Sequence, residues 1–108
     1  MMIKQFNVYR NRSAATRNQI PYYMVVQHDW YNDLSTRVVI PLIRRRKLPQ
    51  WHSHVTSSIN IDFDSFLIYA PMITNLNIGK INSNDFVCNL QLARRDVIAA
   101  LDALITNI

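Results

Sequence analysis

The spacing of the apolar residues divides the chain into a long first part and a short last part. Between Ile3 and Ile81, apolar and polar residues alternate within short segments, which is the pattern of half-buried β-strands. Near the C-terminus the apolar residues instead fall on one face of a helix: Leu90, Val97, Leu101, Leu104 and Ile108, flanked by Ile98 and Ile105. The sequence therefore predicts a mainly β domain that ends in one amphipathic α-helix.

Six segments carry the strand pattern, and they are separated by short polar stretches. They are residues 3–10, 22–27, 36–40, 58–61, 66–69 and 76–81, with the fourth and fifth forming a hairpin. Because Pro41 has no N–H to donate to a ladder, we expect the third strand to end before it. Residues 11–19 and 43–56 are expected to be loops. No repeat or linker divides the chain, so we expect a single domain over residues 1–108.

Gly79 is the only glycine, although tight turns need residues with positive φ. Asparagine is the residue that next best tolerates the left-handed conformation, and the chain has eleven asparagines. We therefore expect asparagines to occupy most of the left-handed positions.

Composition limits the classes of protein that the chain can be. Hydrophobic residues make up 49% of it and charged residues 18%, which predicts a folded domain rather than a disordered chain. Cys88 is the only cysteine and cannot form an internal disulfide. The N-terminus lacks the apolar core of a signal peptide, and no apolar run approaches the roughly 20 residues that span a bilayer. These features predict a cytoplasmic protein.

No pattern of catalytic or metal-binding residues is complete in the sequence. His52 and His54 could begin a metal site, but no third ligand accompanies them, so we interpret them as surface residues. Asp62 and Asp64 lack the glycine and glutamate of a calcium loop, which favours a hairpin turn. No serine lies in a nucleophile motif. We therefore expect no metal, no cofactor and no catalytic residue.

Two segments are candidates for binding a partner. A net charge of +5 favours an acidic partner, and the run Arg44, Arg45, Arg46 and Lys47 could bind carboxylates or phosphates, although it could equally be a solvated loop. Trp30 and Tyr31 follow a strand directly, and large aromatic residues at a loop tip often contact a partner. Packing of these rings against the domain itself is the alternative.

Several segments, in the same order along the chain, resemble the CcdB family of bacterial toxins. They are Gln5-Phe6-x-Val8-Tyr9, Val26-Gln27-x-Asp29, Arg37-Val38-Val39-Ile40-Pro41-Leu42, Ile59-x-Ile61 with Phe66, Met72, and the helix from Asp96 to Ile108. The resemblance implies an SH3-like β-barrel with one C-terminal helix, the fold shared with the MazF and Kid toxins. It also implies a homodimer with the helices near its two-fold axis.

The resemblance further implies a function without chemistry of its own. CcdB toxins belong to plasmid or chromosomal toxin–antitoxin pairs; they bind the A subunit of DNA gyrase and trap the complex in which DNA is cleaved. Their antitoxin, CcdA, binds them through an acidic, partly disordered arm. Arg44, Arg45, Arg46 and Lys47 are the candidate contacts for such an arm.

The gyrase contact of the family is formed chiefly by a terminal Trp-Gly-Ile. The corresponding residues here are Thr106, Asn107 and Ile108, of which only Ile108 is retained. By position, Asp102 and Ile105 correspond to supporting helix residues, and His28, Trp30 and Tyr31 to the loop after the second strand. These eight residues are the candidate gyrase contacts.

Two other functions fit the same resemblance. A barrel-fold toxin that cleaves messenger RNA, as MazF and Kid do, would need acid, base and phosphate-binding groups, and His28, Asp29 and Arg37 could supply them. A toxin homologue that binds antitoxin without poisoning gyrase would also fit, because the terminal aromatic residue is missing.

Overall fold

The computed structural model of the chain describes residues 2–46 and 56–105 and has a mainly β architecture with one C-terminal helix, as predicted. The strands are β1 (Asn7–Arg10), β2 (Tyr22–Val25), β3 (Thr36–Arg44), β4 (Thr56–Ile61), β5 (Asp64–Tyr69), β6 (Thr74–Asn77) and β7 (Phe86–Asn89), followed by helix α1 (Arg94–Ile105). All of their pairings are antiparallel. They form one curled sheet in the order β4-β5-β3-β2-β1-β7, with β6 also paired to β3.

Alternation along the strands places apolar side chains on both faces of this sheet. One face carries the largest core cluster, and helix α1 covers it by burying Val97 and Ala100 against Val8, Met24, Ile40, Leu42 and Ile68. The other face carries two smaller clusters. Ile3 and Ile81 cover the first of these, and Ile20 covers the second. A shift of one residue would exchange the two sets of side chains, so the register is fixed by how each set packs in its own cluster.

Strand β3 continues to Arg44, so the prediction that it ends before Pro41 is wrong. The N–H of Val26 donates to the carbonyl of Val38. Successive residues of β3 point their backbone N–H and C=O groups alternately toward β2 and away from it, so the nitrogen of Pro41, three residues after Val38, points away from β2. On the opposite edge, β6 pairs with β3 only as far as Val39, and β5 pairs with it only from Leu42 onward. Pro41 therefore lies where the pairing of β3 changes from β6 to β5, and no ladder hydrogen bond requires an N–H at this position.

The boundaries of other elements also differ from the sequence prediction. The strand predicted over residues 76–81 is β6, which ends at Asn77, because the Asn77 side chain accepts the N–H of Gly79 and a 3-10 turn follows over Ile78–Lys80. Strand β7 is absent from the sequence prediction, because Phe86, Val87 and Cys88 are consecutive and do not alternate with polar residues. A 3-10 turn at Gln91–Ala93 separates it from the helix, which begins at Arg94 rather than at Leu90.

The left-handed positions are not occupied by asparagines, contrary to prediction. In the described ranges the residues other than glycine with positive φ are Phe6, Asp62 and Phe63. Asparagine side chains instead accept the backbone N–H two residues ahead, at Asn11, Asn77, Asn82 and Asn89. The amide oxygen of asparagine mimics a backbone acceptor in such turns, so the residue shapes the chain without a positive φ.

Candidate functional site

Residues 28–35 form a loop between β2 and β3, called here the 28–35 loop, and two side chains hold its shape, half-buried Gln27 and buried Arg37. The amide nitrogen of Gln27 donates to the carbonyls of Tyr31 and Thr36, at 3.0 and 3.3 Å, and its oxygen accepts the N–H of Val38. Arg37 is 4% exposed, and its guanidinium donates to the carbonyls of Leu34 and Asn32, at 2.7 and 2.9 Å. The loop is therefore attached to β3 along its length.

The 28–35 loop exposes its large side chains to solvent. Trp30 is 85% exposed and Tyr31 55% exposed, and Leu34 beside them is about half exposed. Nδ1 of His28 accepts the N–H of Trp30 at 3.0 Å, and the two rings meet edge to face with centroids 5.4 Å apart. Large rings held on a fixed backbone lose little conformational entropy on binding, which is typical of contact surfaces.

Asp29 connects the 28–35 loop to the N-terminal segment and lies near the start of the helix. One oxygen of its carboxylate accepts the N–H of Gln5 at 2.7 Å. A cavity of about 300 Å³ next to it is lined also by Lys4, Asn89 and Arg94. The loop thus lies beside the first turn of α1, whereas Ile105 lies roughly 16 Å further along the helix axis at 1.5 Å per residue.

The second half of α1 exposes one face, called here the helix face. Ile98, Asp102 and Ile105 are spaced three and four residues apart and are exposed, Ile105 to 74%. The elements that α1 contacts most are β4 and the 3-10 turns at Ala70–Met72 and Gln91–Ala93, rather than the 28–35 loop. Thr106, Asn107 and Ile108 lie outside the described residues.

The basic run lies at the opposite end of β3 from the 28–35 loop. Arg44, Arg45 and Arg46 are exposed, and Nε of Arg44 donates to the carbonyl of Asn18 at 3.2 Å. Lys47, like the histidines His52 and His54, lies outside the described residues.

The groups that could cleave RNA are held in structural hydrogen bonds. His28 and Asp29 accept backbone N–H groups of Trp30 and Gln5, and Arg37 is buried under the loop, where it donates to carbonyls. Within the part of the chain that the structure describes, no three side chains of His, Cys, Asp or Glu are grouped closely enough to hold a metal ion. None of the helices in that part has the length and apolar character to span a membrane.

Comparison with known protein families gives a match over most of the chain. The family model of the CcdB protein matches residues 5–107, which is nearly the whole chain. The chain belongs to the CcdB family. No protein of curated function matches it. CcdB membership supports the assignment of the chain as the toxin of a toxin–antitoxin pair.

The CcdB-like segments contain residues whose structural role is not evident from the sequence. Gln27, Asp29 and Arg37 each belong to a segment on which the resemblance rests, and each holds the 28–35 loop in place. A polar residue at the end of a strand is the sequence signal that could have indicated this role. The ion pair between exposed Arg12 and buried Asp85 had no such signal, because the two residues are far apart in sequence.

Proposed function

We propose that the chain is a CcdB toxin that binds the A subunit of DNA gyrase and traps the gyrase complex with cleaved DNA. A CcdA-like antitoxin with an acidic, partly disordered arm neutralises it, and both partners meet it in the cytoplasm. The family match over residues 5–107 is the observation that carries this proposal. The toxin itself makes or breaks no covalent bond in this mechanism.

The gyrase contact is proposed on the helix face and at the chain terminus. Asp102 and Ile105 are exposed on α1, and they lead directly to Thr106, Asn107 and Ile108, the counterparts of the family's terminal residues. An apolar side chain that becomes fully buried contributes about 1.5–3 kcal/mol to binding, so Ile105 and Ile108 could each change affinity by tenfold or more.

The 28–35 loop is proposed as an additional contact for gyrase. His28 supports the backbone of Trp30, and Trp30 and Tyr31 expose aromatic area of the kind that the family carries at its terminus. Because the loop lies near the first turn of α1 and Ile105 lies at the other end of the helix, the two would touch different parts of gyrase, or would come together across a homodimer. We propose that this dimer forms through apolar surface near α1.

The hydrogen bonds of Arg37 favour gyrase poisoning over RNA cleavage. A guanidinium that binds a phosphate must reach solvent, whereas Arg37 is only 4% exposed and its guanidinium donates to carbonyls of the loop before it. Removing Arg37 would therefore change the loop before it changed any reaction.

Expression of the toxin without antitoxin tests the proposal in cells. We expect gyrase-dependent DNA breaks, while transcripts remain intact. Ile108→Lys is expected to abolish the breaks without changing the melting temperature or antitoxin binding. Cleaved transcripts without DNA breaks would support the ribonuclease instead. Normal growth combined with antitoxin binding would identify a homologue that has lost poisoning.

A further inference from the structure

A cavity of about 210 Å³ opens at the Arg44 end of β3, and we call it the β3-end cavity. Its apolar lining comes from Ile20, Ile43 and Met72. Arg44 and Arg46 also line it. The cavity is thus an apolar space next to two cationic side chains, at the opposite end of β3 from the 28–35 loop.

Three segments build this cavity. Arg44 is the last residue of β3; its N–H donates to the carbonyl of Gln19 at 3.4 Å, and its Nε donates to that of Asn18. These bonds hold the end of the 11–20 loop against the strand. Met72 comes from the 3-10 turn that follows β5. Ile20 and Ile43 are buried in one cluster, so the apolar lining is part of the packed fold.

The size and lining of the cavity suit one large apolar side chain. Apolar protein cavities of about 150 Å³ admit a benzene molecule, so 210 Å³ is enough for a phenyl ring. The guanidinium groups of Arg44 and Arg46 suit carboxylates on either side of that ring, since arginine pairs with carboxylates through charge-assisted hydrogen bonds.

We propose that the β3-end cavity is an anchor site for an acidic peptide, which inserts one aromatic or large aliphatic side chain while Arg44 and Arg46 pair with neighbouring carboxylates. This inference rests on the proposed function, in which the acidic peptide belongs to the antitoxin. The inference places the anchor in a defined cavity. It also gives Arg44 and Arg46, which line the cavity, a direct role that Arg45, which does not line it, lacks.

Nucleic acid fits this cavity less well than a peptide does. Binding to a phosphate backbone depends on several cationic contacts and needs no apolar lining. A second copy of the chain has the right chemistry, because Phe63 is fully exposed between Asp62 and Asp64 at the β4–β5 hairpin tip. Self-association through this tip is therefore one of the outcomes that the experiment must distinguish.

Calorimetric titration of the full chain with a synthetic peptide tests the proposal. The peptide has a central phenylalanine with glutamates on both sides, and two matched peptides replace the phenylalanine by alanine or the glutamates by glutamines. We expect each replacement to weaken binding about tenfold or more. Binding of the glutamate peptide should also weaken as salt is added. Equal affinity for the phenylalanine and alanine peptides would overturn the proposal.

Variants of the chain locate the site. Arg46→Glu and Met72→Asp change residues of the cavity and are expected to weaken peptide binding about tenfold. Arg45→Glu makes the same charge change next to the cavity. We expect it to weaken peptide binding only two- to threefold, which is the size of a long-range charge effect. Equal effects of Arg45→Glu and Arg46→Glu would mean that general charge binds the peptide, and would overturn the site.

Two further measurements test whether something other than an acidic peptide occupies the β3-end cavity. Light scattering of the wild type and of Phe63→Gly across concentration reports self-association. If Phe63→Gly abolishes self-association and tightens peptide binding, the cavity holds the hairpin tip of a second copy, which overturns the peptide assignment. A short RNA that competes with the peptide, and whose own binding is weakened by Arg46→Glu, would also overturn the peptide assignment.

Gyrase poisoning without peptide binding would refute this inference alone, and peptide binding without poisoning would refute the proposed function alone.

Discussion

The buried guanidinium of Arg37 donates to the carbonyl of Asn32 at 2.9 Å, and this bond joins the start of β3 to the middle of the 28–35 loop. The same side chain donates to the carbonyls of Leu34 and Thr36. A single buried cation thus satisfies carbonyl groups that a short loop cannot pair with its own N–H groups. These bonds hold the second half of the loop that carries Trp30.

Replacing Arg37 by methionine should loosen the 28–35 loop and destabilise the domain. The loss of several charge-assisted hydrogen bonds leaves carbonyl groups unpaired, so we expect the free energy of unfolding to fall by about 2–4 kcal/mol. Urea denaturation measures this change, and hydrogen exchange should show faster exchange in the loop. Unchanged stability would mean that the guanidinium is available for another role.

Replacing Phe63 by glycine should stabilise the domain. Asp62 and Phe63 form the two-residue turn of the β4–β5 hairpin with φ of 51° and 69°, a conformation that glycine adopts without strain. The Phe63 ring is fully exposed and loses no packing, so we expect a gain of about 1 kcal/mol after the added flexibility of the unfolded chain is included. Thermal denaturation checks it. Phe63→Ala is the control and should give no such gain. A loss of stability in Phe63→Gly would show that the ring is packed.

The sequence predicts the fold class and the helix well but the details of the sheet poorly. Val97 and Leu101 lie on an apolar face with helical spacing, a signal carried by many residues at once, and the helix is present where that signal is strongest. Strand β7 has four residues and no such repetition. The extension of β3 past Pro41 depends on which strand pairs with which edge, and that information is not local in the sequence.

The candidate site shows the same division between local and long-range information. The exposure of Ile105 follows from local pattern, because this residue lies beside the apolar stripe of the helix. For Trp30 the sequence leaves packing against the domain as an equal alternative, and the structure exposes the ring. The bracing by Gln27 and Arg37 was not predicted, since it depends on hydrogen bonds between a strand and the loop before it. The β3-end cavity brings together three segments distant in sequence, so no pattern within one segment could indicate it.

The thiol of Cys88 should ionise at higher pH than a free cysteine. Burial raises the pKa of this thiol, and the negative charge of Asp62 raises it further. The rate of alkylation by iodoacetamide follows the thiolate fraction, so its midpoint should lie above the ordinary cysteine value. Asp62→Asn removes the nearby charge, lowers the pKa and should increase the rate at pH 8. An unchanged rate in this variant would show that Asp62 lies too far away to act.

The two partners of the Arg12–Asp85 ion pair should differ in the effect of their removal. Asp85 is buried, whereas Arg12 is exposed, and Nε of Arg12 donates to Asp85 at 2.6 Å. Arg12→Ala leaves a buried carboxylate without this partner, while Asp85→Asn leaves an exposed guanidinium that water can solvate. We expect the larger fall in melting temperature from Arg12→Ala. The reverse order would contradict this account of the pair.

DNA cleavage by purified gyrase tests the account most directly. Supercoiled plasmid is incubated with gyrase and the purified chain, and cleaved complexes are trapped with detergent and protease. We expect linear DNA to accumulate only when both proteins are present, and Ile105→Lys to reduce it about tenfold or more while the melting temperature stays unchanged. Arg45→Glu, on a surface assigned to neither the helix face nor the 28–35 loop, is the control and should cleave like the wild type. No linear DNA above the level of gyrase alone, with or without cleavage of added transcripts, would contradict the proposal that the chain poisons gyrase.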